Sequence, residues 1–178
     1  MTPLPAERLE NVKLLLLDVD GVLTDGRIIY SSNGDELKSF HVRDGSALKF
    51  WQESGGRVAI VSGRTSPAVD RRAKELGINL LFQGCGEKLP SFRRILSVTG
   101  FRPDQVCAIG DDLLDLPVLK NCGVPVAVAD APAEVKAVAA YVTTAVGGAG
   151  AVRETVEWIM NGQATWRGIV ERLSAESL

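Results

Sequence analysis

Asp18 and Asp20 stand at the end of the run Leu14-Leu15-Leu16-Leu17, and Gly21 follows them. Residues two apart on extended backbone point the same way, so both carboxylates face one small volume. Like charges that close either raise one pKa or recruit a cation, and a hard divalent ion with oxygen ligands is the ordinary remedy. Taken alone, the pair also reads as two solvated aspartates capping the next turn. Two further polar clusters follow apolar runs: Ser62-Gly63-Arg64 after Val58–Val61, and Asp111, Asp112 and Asp115 after Val106–Ile109 and Gly110, with Lys88 between them. A carboxylate nucleophile, an acid/base, a hydroxyl with backbone N–H groups at a helix start, two cations and a metal-type cluster together suit phosphate chemistry.

The elements that must position these groups are legible from periodicity. Four leucines preceded by Val12 have no polar face, which fits a central parallel strand buried on both sides. Residues 27–31 and 36–42 flank an Asn33-Gly34 turn and predict a hairpin, an insertion over 26–43. Asp44 is expected as the N-cap of a helix over 46–54 with Ala47, Leu48 and Trp51 facing inward. Strands over 57–61, 78–82, 105–109, 125–128 and 141–143 then alternate with helices through Leu76 and over 87–98, 133–139 and 151–160. Such alternation predicts an α/β fold: a three-layer, doubly wound, Rossmann-like parallel sheet whose polar strand ends meet at one edge. Residues 1–162 form one core. In the tail, 163–178, Trp166, Ile169, Val170 and Leu173 recur at helical spacing and are expected to dock on the core or on a neighbouring subunit.

With 178 residues, 46% hydrophobic and 24% charged, the chain suits one globular domain, and its net charge of −2 offers no basic stripe for nucleic acid. No apolar run spans a bilayer and Met1–Arg8 lack a signal pattern, so no membrane partner and a cytoplasmic location are expected. Cys85, Cys107 and Cys122 lack paired spacing and fit a reducing compartment; Cys85, in a loop between Gly84 and Gly86, reads either as a reactive or, more readily, as a passive thiol.

Asp18-Val19-Asp20-Gly21-Val22-Leu23-Thr24-Asp25-Gly26, Ser62-Gly63-Arg64, Lys88 and Gly110-Asp111-Asp112-x-x-Asp115 resemble, in order, the four motifs of the haloacid-dehalogenase-like phosphatases. More narrowly, His41-Val42-Arg43-Asp44-Gly45, Ser62-Gly63-Arg64-x-Ser66-Pro67, Ala127-x-Ala129-Asp130-Ala131-Pro132 and Gly150-Ala151-Val152-Arg153-Glu154 resemble the 3-deoxy-D-manno-octulosonate 8-phosphate phosphatases. The resemblance implies a phosphatase of an acidic sugar phosphate, placed in surface-polysaccharide precursor synthesis. It implies Asp18 as nucleophile, Asp20 as acid and base, and Lys88 and Ser62 on the phosphoryl oxygens. Mg²⁺ would be held by Asp18, the Asp20 carbonyl and Asp111, with Asp112 and Asp115 supporting.

The resembled superfamily commonly covers its site with a cap domain, and here only the hairpin follows the first motif. An open site weakens every electrostatic contact inside it, so a homo-oligomer is expected, by resemblance a tetramer whose hairpins meet between subunits. Substrate contacts are expected from His41, Val42, Arg43, Asp44, Gly45, Gly63, Arg64 and Arg72, since arginine forks suit both carboxylate and phosphate. Arg72 also reads as a solvated helix face, and His41 as a structural histidine. Ala149, in Gly147-Gly148-Ala149-Gly150, stands where the family often has a basic residue, which keeps a nonulosonate 9-phosphate open as substrate. A receiver domain would place its acidic pair before a separate acceptor aspartate and lacks this order. A catalytically silent oligomerisation module would lack some of the chemical groups present here.

Overall fold

The computed structural model describes residues 6–175; the remainder of the stretch read for a signal pattern, residues 1–5, and residues 176–178 of the tail lie outside them. A short helix α1 (Ala6–Glu10) leads into β1 (Leu14–Leu17), then the hairpin β2 (Ile29–Tyr30) and β3 (Glu36–Leu37), α2 (Val42–Glu53) and β4 (Arg57–Val61). The chain continues through α3 (Pro67–Glu75), β5 (Leu80–Phe82), α4 (Lys88–Thr99) and β6 (Val106–Gly110). It ends with α5 (Leu116–Leu119), β7 (Val124–Ala127), α6 (Ala133–Val138), β8 (Tyr141–Val142), α7 (Ala151–Gly162) and α8 (Trp166–Ala175).

Six strands form one parallel sheet in the order β5-β4-β1-β6-β7-β8, with Leu14–Leu17 of β1 paired to Arg57–Ile60 and to Val106–Ile109. Every residue of β1 and β6 is buried, because both faces of the sheet carry helices. Helix α7 packs against α2, and α5 packs against both α4 and α6; with the right-handed crossovers that are the rule for parallel βαβ units, this strand order puts α2 and α3 on one face and α4, α5 and α6 on the other. The chain leaves β1 toward β4 and leaves β6 toward β7, so the direction of winding reverses between β1 and β6. In a doubly wound sheet that reversal opens a crevice beyond the carboxyl ends of those two strands. The α/β, three-layer, doubly wound reading of the sequence therefore holds. Among the described residues, no helix is long and apolar enough to cross a membrane.

Three local expectations change. The hairpin strands are two residues each and lie apart from the main sheet, with Ile29 opposite Leu37 and Tyr30 opposite Glu36. Helix α2 starts four residues before the expected start, with His41 as its N-cap, so Asp44 sits inside the first turn and is not the cap. Its carboxylate is buried and accepts the backbone N–H of Arg153, 2.8 Å, tying the start of α2 to α7. Strand β5 starts at Leu80, because Ile78 and Asn79 are used in the turn from α3, where Ile78 N–H closes on Ala73 O at 2.9 Å.

Helix α8 lies on the chain's own α2 and α7. The Arg153 guanidinium stands 4.6 Å from the Trp166 ring centre and 5.8 Å from that of Phe50, the two rings meet edge-on, and Arg172 pairs with Glu53 at 2.7 Å. Ile169 is buried, whereas Val170 and Leu173 on the expected apolar face stay about half exposed.

The loop before α7 reaches the first motif by backbone alone. A Cβ on Gly147 would fall 1.7 Å from the carbonyl oxygen of Gly21, and Gly148 donates its N–H to Val22 O at 2.9 Å. Asp130 holds the Gly147 N–H at 3.0 Å, and Glu154 accepts Tyr141 Oη, Thr144 N, Thr144 Oγ1 and Ala145 N, all within 2.9 Å, fixing the approach to that loop. Gly147→Ala is therefore expected to cost about 1–3 kcal/mol, the usual range for overpacking, together with activity; urea unfolding beside a rate assay checks both.

Candidate active site

The crevice beyond β1 and β6 is a cleft of about 170 Å³ lined by Asp18, Asp20, Ser62, Gly63, Arg64, Lys88, Asp111, Asp112, Leu114 and Asp115. Each strand end contributes one motif: Asp18 and Asp20 follow β1, Ser62 to Arg64 follow β4, and the acidic loop follows β6.

Lys88 opens α4 and is almost fully buried, with its Nζ 2.8 Å from Asp18 Oδ1 and 2.6 Å from Asp115 Oδ1. Burial alone would lower the Lys88 pKa, but the charges of Asp18 and Asp115 more than offset it and hold the ammonium above its ordinary value. The other oxygen of Asp115 accepts the N–H groups of Asp111, 3.0 Å, and Asp112, 3.4 Å, closing the acidic loop on itself. Asp115 is thus saturated by a cation and two amides. Gly110 is needed beneath it, since a Cβ there would lie 2.6 Å from Asp115 Cβ.

Asp111 differs. Its Oδ1 is buried without a hydrogen-bond partner, and its Oδ2 occupies space that a Cβ on Gly21 (φ +90°) would invade at 2.0 Å. Carboxylate oxygens of Asp18, Asp111 and Asp115 gather within 4.8 Å. Burial, then the charges of Asp18 and Asp115, push the Asp111 carboxyl up to about 8, and burial also raises Asp18 against the opposing pull of Lys88. An orphaned oxygen beside a second carboxylate, in an all-oxygen cluster whose third member is already satisfied, fits a divalent cation.

A pH dependence follows. With no metal bound, the folded protein holds a proton on Asp111 that the unfolded chain releases near 3.8. The folded state then binds more protons between 3.8 and about 8, so the Asp111 contribution to stability falls as pH rises through that window and levels off above it. A divalent ion that replaces the proton stabilises more as pH rises across the same interval. Thermal melts of the wild type and Asp111→Asn, with and without chelator, are expected to show a steeper slope in the metal-free wild type than in the variant, where the raised Asp18 still contributes.

Ser62 is buried and its Oγ accepts the Arg64 N–H at 3.2 Å. Its own N–H and C=O close onto Phe82 and Cys85, which fixes the turn after β4 against β5. Gly63 and Arg64 stand at the rim.

Other residues singled out in the sequence lie elsewhere in the single chain. Val42 and Arg43 are exposed on the first turn of α2, and Gly45 is buried against the Arg72 guanidinium, 2.2 Å from where its Cβ would be. His41 Nδ1 is buried without a hydrogen-bond partner, 3.9 Å from Asp44 Oδ2. Arg72 lies 5.7 Å from the Phe40 ring centre and lines a second groove of about 290 Å³ with Glu36, Leu37, Lys38 and Phe40.

Lys38 is the site residue that sequence reasoning missed. Its side chain is buried, its Nζ contacts Asp20 Oδ1, and it stands 3.6 Å from Glu36 Oε1. Arg64 completes the group, 2.6 Å from Glu36 and 3.9 Å from Asp20 Oδ2. Nothing in the sequence singles out Lys38 within the hairpin; only the fold back of the hairpin onto the first motif distinguishes it.

Comparison with known proteins places this geometry. A haloacid dehalogenase-like hydrolase family model matches residues 84–153. The chain is 45% identical over 157 residues, 88% of its length and 87% of the relative's, to the 3-deoxy-D-manno-octulosonate 8-phosphate phosphatase of Haemophilus influenzae. The chain belongs to this phosphatase family. It is a phosphoric monoester hydrolase of the haloacid-dehalogenase-like type. Among solved relatives, the Moraxella catarrhalis 3-deoxy-D-manno-octulosonate 8-phosphate phosphatase in complex with magnesium, phosphate and KDO superposes with a TM-score of 0.92 at 40% identity, covering 94% of this chain and 97% of that one. A cobalt-bound phosphatase from Haemophilus influenzae gives 0.86 at 44% identity, covering 88% and 92%.

Proposed function

We propose that the chain is a Mg²⁺-dependent phosphatase of 3-deoxy-D-manno-octulosonate 8-phosphate. The observation that carries this is the junction of Asp18, Lys88 and the partnerless oxygen of Asp111 at the sheet's switch point, in a chain with relatives of that activity. Asp18 attacks phosphorus, the bond to the sugar oxygen breaks, and an aspartyl-phosphate forms. Asp20 protonates the departing oxygen and then takes a proton from the water that attacks the intermediate, releasing phosphate. Lys88 holds Asp18 in line and meets the phosphoryl oxygens, and Ser62 with the amides of its turn binds the rest. Asp18, the Asp20 backbone carbonyl and Asp111 would hold the ion, which would offset charge as a carboxylate approaches a dianion. Asp112 and Asp115 keep the acidic loop closed.

The sugar acid extends past Arg64 toward the second groove, where Arg72 supplies a fork for its carboxylate and His41, Val42, Arg43, Asp44 and Gly45 frame the approach. The working form is a homotetramer. Ile28, Ile29, Tyr30, Leu37 and Val42 present apolar side chains to solvent on the hairpin and the adjoining helix start, an unpacked patch that a neighbouring hairpin would cover and that would close the cleft.

Ala149 is exposed on the glycine loop and brings no cation there, which favours testing a nonulosonate 9-phosphate as the competing substrate. Phosphate release with Mg²⁺ from both compounds is expected to prefer the eight-carbon ester by at least about tenfold in kcat/KM, which corresponds to about 1.4 kcal/mol of discrimination. The reverse preference assigns the nine-carbon substrate, and no release from either overturns the sugar-acid reading.

A further inference from the structure

The proton-transferring carboxylate of a phosphatase must present one oxygen to the leaving group while the other is restrained. Asp20 follows a strand end on a loop, and its side chain is 22% exposed, so nothing in β1 itself fixes its rotamer. Three hairpin and loop charges surround it. Lys38 Nζ contacts Oδ1 through a side chain only 1% exposed; Arg64 Nε stands 3.9 Å from Oδ2, at ion-pair distance without a hydrogen bond; and Glu36 anchors both cations, at 3.6 and 2.6 Å.

We propose that Lys38 is a positioning residue for the proton transfer, holding Asp20 Oδ1 so that Oδ2 is the oxygen that gives and takes the proton. The inference rests on the reading of Asp20 as acid and base. The contact survives the proton's movement: with Oδ2 protonated, Oδ1 is the carbonyl-type oxygen and still accepts from the ammonium. In the first half the Oδ2 proton passes to the sugar oxygen as the P–O bond breaks; in the second, Oδ2 accepts a proton from the attacking water. Lys38 neither gains nor loses a proton in either step. Because the lysine directly follows β3, the hairpin's placement is thereby coupled to the rate of leaving-group departure.

The test separates positioning from general structural support by the leaving group. An aliphatic sugar oxygen needs a proton to depart, whereas p-nitrophenolate departs without one, and kcat/KM covers the steps up to departure. Lys38→Met is expected to lower kcat/KM about thirtyfold with the eight-carbon sugar-acid phosphate, about as much with ethyl phosphate, which needs the same proton but does not reach the groove that Lys38 also lines, and less than about threefold with p-nitrophenyl phosphate. Asp20→Asn, run in parallel, is expected to show the same contrast more strongly. Equal losses with ethyl phosphate and p-nitrophenyl phosphate in Lys38→Met, beside a clear contrast in Asp20→Asn, overturn the proposal and leave Lys38 a structural lysine. Absence of the contrast in Asp20→Asn overturns the acid and base reading itself. Should Lys38→Met not fold, Glu36→Gln loosens the shared anchor of both cations, and is expected to give about fivefold with ethyl phosphate against less than about twofold with p-nitrophenyl phosphate; no contrast there also overturns the proposal.

Discussion

Asp18→Asn is expected to remove turnover on any phosphate ester by at least about 10⁴-fold, the scale of deleting a nucleophile on which the other groups depend. The amide keeps the shape and can still accept from Lys88, so the fold is expected to persist. What disappears is the charge that attacks phosphorus and half of the carboxylate pair offered to the ion. A rate assay with Mg²⁺, next to a thermal melt, separates the two: the rate falls to background while the melting temperature moves by a few degrees. Residual turnover above about one per cent of wild type would falsify the assignment of Asp18 as nucleophile. Equal inactivity of wild type and variant would instead revive the silent-module reading.

The second large effect belongs to Lys88→Met. The ammonium is the counter-charge for two carboxylates buried with it, Asp18 at 2.8 Å and Asp115 at 2.6 Å. Breaking a buried pair by removing one partner costs about 3–5 kcal/mol, because the stranded charge has lost its water as well as its partner. Here the cluster can take up a proton or a divalent ion instead, which places the expected loss at the lower end of that range. Activity is expected to fall about 10²–10³-fold, since Lys88 also faces the charge that develops on the phosphoryl oxygens. Added Mg²⁺ should restore part of the stability and little of the rate. Urea unfolding with and without the ion, beside kcat, checks both halves; a stable variant with unchanged kcat would remove Lys88 from the site.

The sheet was legible because apolar runs such as Leu14–Leu17 and Val106–Ile109 have no polar face, and a strand with helices on both sides needs none. The motif residues were legible because charged groups at the ends of such runs have no packing role. The hairpin was misjudged in length: Ile29, Tyr30 and Leu37 have the residue types of strands, but in one chain they have no layer to pack on, so pairing stops after two residues per strand. The start of α2 was misplaced because Asp44 has the chemistry of a cap, while its carboxylate is instead used by Arg153, which lies far along the chain. Lys38 escaped for the same reason. Glu36 stands two residues before it, but Asp20, the partner that gives it a role, is joined to it only by a folding-back of the hairpin that no spacing in the sequence encodes.

The contact of Gly147 with the Gly21 carbonyl has a consequence for how loss of function would be scored in this chain. Every charged group of the cleft precedes α5, yet the backbone carrying the first of them rests on a loop supplied by the last third of the polypeptide. A saturation screen read out by activity would therefore rank Gly147 and Gly148 beside the aspartates, although neither offers an atom to the phosphate. Co-expressed halves cut in the exposed turn around Lys120 and Asn121 would regain turnover only on reassembly, with the second half acting as a template for the nucleophile's loop.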